Sequence, residues 1–168
     1  LRNAHGGGGK RTPNTNVLPW QGRLLALNEG GGPVEVSPDD LETLGETDLE
    51  GLVQGAFCAH PHRVAAAGTT YNIGLEYGPS TRLHLYALPD AGPARRIHTL
   101  ALPYAPLVHD FAATQSHLVF FISPVRINML RHLLQLGGFG ALFDWRPREG
   151  TDVVVVPLER PQDAVRFT

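Results

Sequence analysis

Apolar and polar residues alternate along most of this chain in short runs, a pattern that predicts strands rather than long helices. Asn16-Val17-Leu18 and Arg23-Leu24-Leu25-Ala26-Leu27 flank Gln21-Gly22, the arrangement of a tight hairpin. Gly30-Gly31-Gly32-Pro33 makes the next turn, ahead of Val34-Glu35-Val36. Leu41-Glu42-Thr43-Leu44-Gly45 then closes a small antiparallel meander.

A second unit opens at Ala56-Phe57-Cys58-Ala59-His60, and Pro61 is expected to end that strand because it has no N–H for a central ladder. Thr69-Thr70-Tyr71-Asn72-Ile73-Gly74 follows as a strand. In Arg82-Leu83-His84-Leu85-Tyr86-Ala87-Leu88 the period of two puts Leu83, Leu85 and Ala87 on one face. Pro89-Asp90-Ala91-Gly92 turns the chain into Arg96-Ile97-His98-Thr99-Leu100-Ala101-Leu102, the fourth strand. Four strands in one meander match a propeller blade.

The third unit repeats this opening, with a strand expected over residues 108–114, a turn at Gln115-Ser116, and Leu118-Val119-Phe120-Phe121-Ile122. Before Asp152-Val153-Val154-Val155-Val156 the period changes. Residues 127, 130 and 134, and 129, 133 and 136, are apolar at helical spacing. Gly137-Gly138 stops the helix, giving a helical insertion over residues 126–138. The expected architecture is all-β: about three blades of a β-propeller occupying residues 14–168, with one short apolar helix inserted.

Composition narrows the function classes. Nineteen Gly and fourteen Pro suit many short strands joined by turns. A net charge of −2 with no basic block argues against a nucleic-acid partner. The lone Cys58 excludes an internal disulfide and a cysteine-based metal site; its apolar neighbours predict a small buried hydrophobe, and a reducing cytosol is the simplest setting. No segment is apolar and long enough to span a bilayer, and none resembles a signal peptide. The chain has the look of a fragment of a longer protein. Residues 1–13 read as a flexible loop. The run of glycines before Lys10 is not a phosphate loop, since Ala4 and Arg11 occupy places that need Gly and Ser or Thr.

Histidines are the candidate chemistry. His109, in Leu107-Val108-His109-Asp110-Phe111, follows His60 by about 50 residues, about the length of one blade, so the two would open successive blades. His62, His84, His98, His117 and His132 occupy alternating strand positions or turns and are expected to be structural. Asp110 is expected to hold backbone or a turn rather than a metal.

At these residues the chain resembles the carotenoid cleavage oxygenase family, which includes retinoid isomerases and bacterial apocarotenoid and stilbene oxygenases. The matching segments include Gly22-Arg23-Leu24-Leu25-Ala26-Leu27-Asn28-Glu29, Ala59-His60-Pro61-His62, Tyr71-Asn72-Ile73-Gly74, Val108-His109-Asp110-Phe111 and Phe121-Ile122-Ser123-Pro124-Val125-Arg126-Ile127-Asn128. They span most of the chain, residues 14–157; Asn28 departs from a bulkier residue common in the family.

The resemblance implies a seven-bladed propeller with Fe(2+) held on its axis by four histidines. His60 and His109 correspond to the first two ligands, and the other two are expected downstream of Thr168. Glu29 corresponds to a carboxylate that orients a ligand imidazole, which needs a partner on its second nitrogen to fix tautomer and direction. The implied activity is O2-dependent cleavage of a conjugated C=C bond in a lipophilic polyene, a carotenoid or apocarotenoid, giving carbonyl products. The fragment alone is expected to be inactive. A stilbene substrate and a metal-free binding scaffold are the alternatives. The family's lipophilic substrates imply peripheral membrane contact by a cytoplasmic protein. The helix would then present Ile127, Met129, Leu130, Leu133, Leu134 and Leu136 as a patch at a tunnel mouth, with Arg131 and His132 at headgroup level.

Overall fold

The computed structural model describes residues 12–78, 80–134 and 138–168. The flexible loop expected over residues 1–13 therefore lies almost wholly outside them.

The first sheet is the predicted meander, in the order β1 (Asn16–Trp20), β2 (Arg23–Leu27), β3 (Val34–Val36), β4 (Thr43–Glu46). Gln21 and Gly22 both take positive φ, 48° and 78°, which gives the hairpin turn its right-handed twist.

The second sheet is built on β7 (Thr69–Glu76). Its free edge carries two short pieces, β5 (Ala56–Phe57) and β6 (His62–Val64). Its other edge pairs along its whole length with β8 (Thr81–Pro89), which pairs in turn with β9 (Arg95–Leu102). Pro61 therefore interrupts the edge strand and does not end it. Missing ladder bonds around the proline are replaced from both sides: Asn72 Nδ2 donates to the Cys58 carbonyl at 2.8 Å and Asn16 Nδ2 to the Ala59 carbonyl at 2.8 Å. His62 then resumes pairing opposite Tyr71.

The third sheet begins with β10 (Phe111–Ala113) and β11 (His117–Ile122). The strand expected from residue 108 thus starts only at Phe111, and His109 stands just ahead of it. The chain then leaves the sheet for a small hairpin, β12 (Val125–Ile127) with β13 (Phe143–Trp145), before returning as β14 (Asp152–Pro157) and β15 (Val165–Phe167). The hairpin corrects the helical insertion expected over residues 126–138. Ile127 is β-branched and pairs with Phe143 in a strand. Asn128 stops that strand and caps the helix after it, its Oδ1 accepting from the Arg131 N–H at 3.0 Å. This helix, α1, is confined to Met129–Leu133. No helix among the described residues is long and apolar enough to cross a membrane.

Alternation along β8 joins the sheets into a stack. Leu83, Leu85 and Ala87 enter one core with Leu118, Phe120, Ile122, Val154 and Val156 of the third sheet. Tyr86 and Leu88, on the opposite face, enter another with Leu18, Leu25 and Leu27 of the first. Burying a leucine fully contributes about 2 kcal/mol, so both faces of the central sheet stabilise the stack. His84 is the exception on that face: it is 2% exposed, and its ring nitrogens meet Thr99 Oγ1 at 2.9 Å and Glu76 Oε2 at 3.1 Å. The fold is predominantly β, three larger sheets packed face to face in chain order with the two-stranded β12–β13 hairpin beside them.

Candidate metal centre

The stacking brings one end of each sheet to a common place. Glu29 follows β2, His60 lies in the break between β5 and β6, and His109 precedes β10. One ligand-type atom from each lies within 4.8 Å of the others. The two imidazole centroids are 4.7 Å apart, tilted by 55°.

Glu29 faces both rings. Its Oε1 is 3.0 Å from His60 Nε2 and its Oε2 is 3.3 Å from His109 Nδ1. Local chain geometry aims it: Asn28 Oδ1 accepts from the Gly30 N–H at 3.0 Å, an Asx turn that fixes the carboxylate just past the strand end. The close approach to His60 is poorly directed. His60 Nε2 is buried and has no hydrogen-bond partner among the described residues, although the carboxylate oxygen lies within range. Distance alone does not make a hydrogen bond when the donor is not aimed at the acceptor. A buried imidazole nitrogen without a hydrogen bond is costly in a purely structural histidine and is what a metal ligand requires. The His109 side chain is 62% exposed, that of His60 30%, so the centre is open on one side.

Around this trio lie side chains that do what the sequence led one to expect and also make contacts it did not signal. Asp110 Oδ1 accepts from the Phe111 N–H at 2.7 Å, the backbone role expected of it, and also lies 2.9 Å from His62 Nε2. His62 packs edge-on to Phe111, with ring centroids 4.6 Å apart. Burial works against the Asp110 charge, but the His62 and Phe111 N–H contacts prevail and hold its carboxyl below the ordinary range. Cys58 is buried as expected, and burial pushes its thiol up to about 12, so it stays protonated. Its Sγ nevertheless makes two polar contacts. A thiol placed beside a run of small apolar residues carries no sequence signal for that.

The expected membrane patch is only partly gathered. Leu130 and Leu134 are exposed, Met129 is half-buried, and Ile127 is half-buried in β12, not in the helix. Leu133 ends α1, and Leu136 lies outside the described residues. A cleft of about 450 Å³ is lined by Gly32, Glu46, Thr47, Asp48, Val53 and Gly55, with neither His60 nor His109 in its lining. Its acidic and hydroxyl lining does not suit an apolar ligand.

The family described as retinal pigment epithelial membrane protein matches residues 1–168. The apocarotenoid-15,15'-oxygenase of Synechocystis sp. is 34% identical over 159 residues, 89% of this chain and 32% of that protein. Resveratrol cleavage oxygenase 1 of Chaetomium globosum is 32% identical over 162 residues, 92% of this chain and 27% of that protein. Among solved structures, Pseudomonas brassicacearum lignostilbene dioxygenase aligns with a TM-score of 0.78 and 35% identity over 94% of this chain and 33% of that one. The chain spans about a third of the length of these relatives. With the sheet stack, the histidine pair and these likenesses together, the chain belongs to the retinal pigment epithelial membrane protein family of carotenoid cleavage oxygenases.

Proposed function

We propose that this chain is part of a β-propeller dioxygenase that cleaves a conjugated C=C bond of a carotenoid or apocarotenoid, using one Fe(2+) ion held partly by His60 and His109. The observation that carries the reading is the convergence of Glu29, His60 and His109, from three successive sheets, within 4.8 Å. Face-to-face stacking in chain order supports the propeller.

The residues present fit the ion. His60 has a buried nitrogen without a hydrogen bond, and His109 places Nδ1 beside Glu29, which leaves its other nitrogen for a metal. Bound iron would supply the one-electron chemistry that lets O2 react with an alkene, one oxygen atom going to each carbon. Glu29 lies beside both imidazoles, at Nε2 of His60 and Nδ1 of His109, where its charge offsets what neutral ligands leave uncompensated. Two imidazoles leave most of a coordination sphere open, so the full site draws further ligands from elsewhere in the protein, and this chain alone binds metal weakly. No protein nucleophile is needed; the rest of the protein aligns a long apolar substrate beside the site.

The relatives' names favour a second substrate class as well, since resveratrol and lignostilbene are stilbenes. Assaying the full-length protein, iron-loaded and in detergent, with an apocarotenoid and a stilbene separates the two. Turnover of the polyene is expected. Turnover of the stilbene alone would replace the substrate assignment, and turnover of neither, in a folded iron-loaded protein, would favour a binding scaffold. Such substrates partition into bilayers, so the reading includes peripheral membrane contact from the cytoplasmic side through exposed Leu130 and Leu134.

A further inference from the structure

We propose that Cys58 is a positioning residue whose thiol sets the spacing between His60 and His109. The inference rests on reading those histidines as metal ligands.

Cys58 Sγ accepts a hydrogen bond from the His60 backbone N–H at 3.3 Å and donates one to the His109 backbone carbonyl at 3.3 Å. A single side-chain atom thus joins the main chains of the two candidate ligands across a gap between successive sheets, reaching from Cys58 to His109 over 51 positions of sequence. The atom is itself held in place. The Cys58 N–H donates to the Ile73 carbonyl at 2.9 Å, and the Cys58 carbonyl accepts from Asn72 Nδ2 at 2.8 Å. Both polar groups of the residue's backbone are therefore anchored to β7, and the side chain is packed in the core between the second and third sheets. The break in the edge strand frees His60 from ladder pairing, so the ring's position depends on what replaces the ladder. Asn72 and Asn16 hold the two carbonyls before it, and Cys58 holds its N–H and ties it to its partner histidine.

Burial alone would be served by any small apolar side chain at this position. Joining an N–H on one strand to a carbonyl on another needs one atom that both accepts and donates, which only a thiol or a hydroxyl of this size provides. Metal–ligand distances tolerate shifts of only about 0.2 Å, so a link of this kind bears directly on affinity.

Three variants of the full-length protein separate packing from linkage. Cys58→Val fills the space without polar capacity, Cys58→Ala leaves a small void, and Cys58→Ser keeps donor and acceptor. Co(II) serves as the probe, since its visible absorption reports both binding and ligand geometry, and thermal midpoints report folding. Valine and alanine variants are expected to lose about 10-fold in Co(II) affinity, as orienting contacts to metal ligands typically do, and to show a shifted absorption envelope. The serine variant is expected to stay within about 2-fold of wild type with the wild-type envelope, whatever its thermal midpoint. Co(II) affinity and envelope unchanged in the valine and alanine variants would overturn the proposal. So would an equal loss in all three, because that is the response to altered packing. The metal reading has its own control: if His60→Ala and His109→Ala both bind Co(II) as wild type does, that reading fails independently of Cys58.

Discussion

His62 Nε2 lies 2.9 Å from Asp110 Oδ1, which ties the residue two past one candidate ligand to the residue directly after the other. The contact bridges β6 and the start of β10, elements that share no ladder, and Phe111 braces it by packing against the His62 ring. Asp110→Ala removes this bridge and the acceptor for the Phe111 N–H together. The pair is half-exposed, so a loss of about 1 kcal/mol is expected, read as a lower denaturation midpoint. Asp110→Asn retains an oxygen acceptor at the same position and should recover most of that loss. Equal midpoints for the alanine variant and wild type would show that the bridge contributes nothing to stability.

Gly74 bears on the candidate metal centre from a distance. It sits opposite Phe57 in β5 and opposite His84 in β8. A Cβ built on it would come 2.7 Å from the Ala56 carbonyl oxygen and 2.8 Å from Tyr86 Cε2. Backbone on one side and a buried ring on the other leave little room to give. Gly74→Ala should cost about 1–3 kcal/mol through overpacking. It should also push β5 outward and displace the break that holds His60, so metal affinity should fall along with the thermal midpoint. A variant with wild-type stability would mean that the Tyr86 ring moves aside freely.

Much of the strand order was readable in the chain, and the reason is local. Gln21-Gly22 admits one tight turn, and the alternation in β8 divides Leu83 and Leu85 from Tyr86 and Leu88 before any tertiary contact is considered. The order of the matching segments brought out Glu29, His60 and His109, and the structure places them side by side. What escaped depends on contacts distant in sequence. Pro61 does not end its strand because Asn72 and Asn16 replace the lost ladder bonds. The start of the helical spacing, at Ile127, was overridden by pairing of β12 with β13, a strand well separated along the chain and invisible to periodicity, which leaves Met129–Leu133 as helix. The two contacts of the Cys58 thiol join residues whose adjacency only the folded stack creates.

The proposed membrane contact through Leu130 of α1 and Leu134 just after it makes a separable prediction. Leu130 is 65% and Leu134 55% exposed, so replacing either with glutamate disturbs no core. Leu130→Glu and Leu134→Glu, made together in the full-length protein, should abolish co-sedimentation with liposomes while leaving the circular dichroism spectrum unchanged. Undiminished co-sedimentation would remove α1 from the membrane-facing surface.

Acid should release the last strand first. The Arg166 guanidinium beside Asp152 holds its carboxyl below the usual carboxylate range, with Thr168 Oγ1 donating at 2.6 Å and Tyr104 adding a weaker contact, against an opposing penalty from burial. Arg166 lies within β15 and Thr168 directly follows it, so the charge on Asp152 pins the edge strand to β14. A carboxyl whose folded pKa is depressed contributes fully above its unfolded value of about 3.9 and loses that contribution as pH falls through the lower folded value. At neutral pH, Asp152→Asn should therefore destabilise the fold by about 1–2 kcal/mol, with part of the Arg166 contribution already screened by water. Below the folded pKa the two proteins should converge, because wild-type Asp152 is then neutral too. Urea midpoints for both, measured from pH 7 down to the acid limit of the fold, test this. A difference that persists undiminished at the acid end would mean that shape, not charge, holds β15 in place.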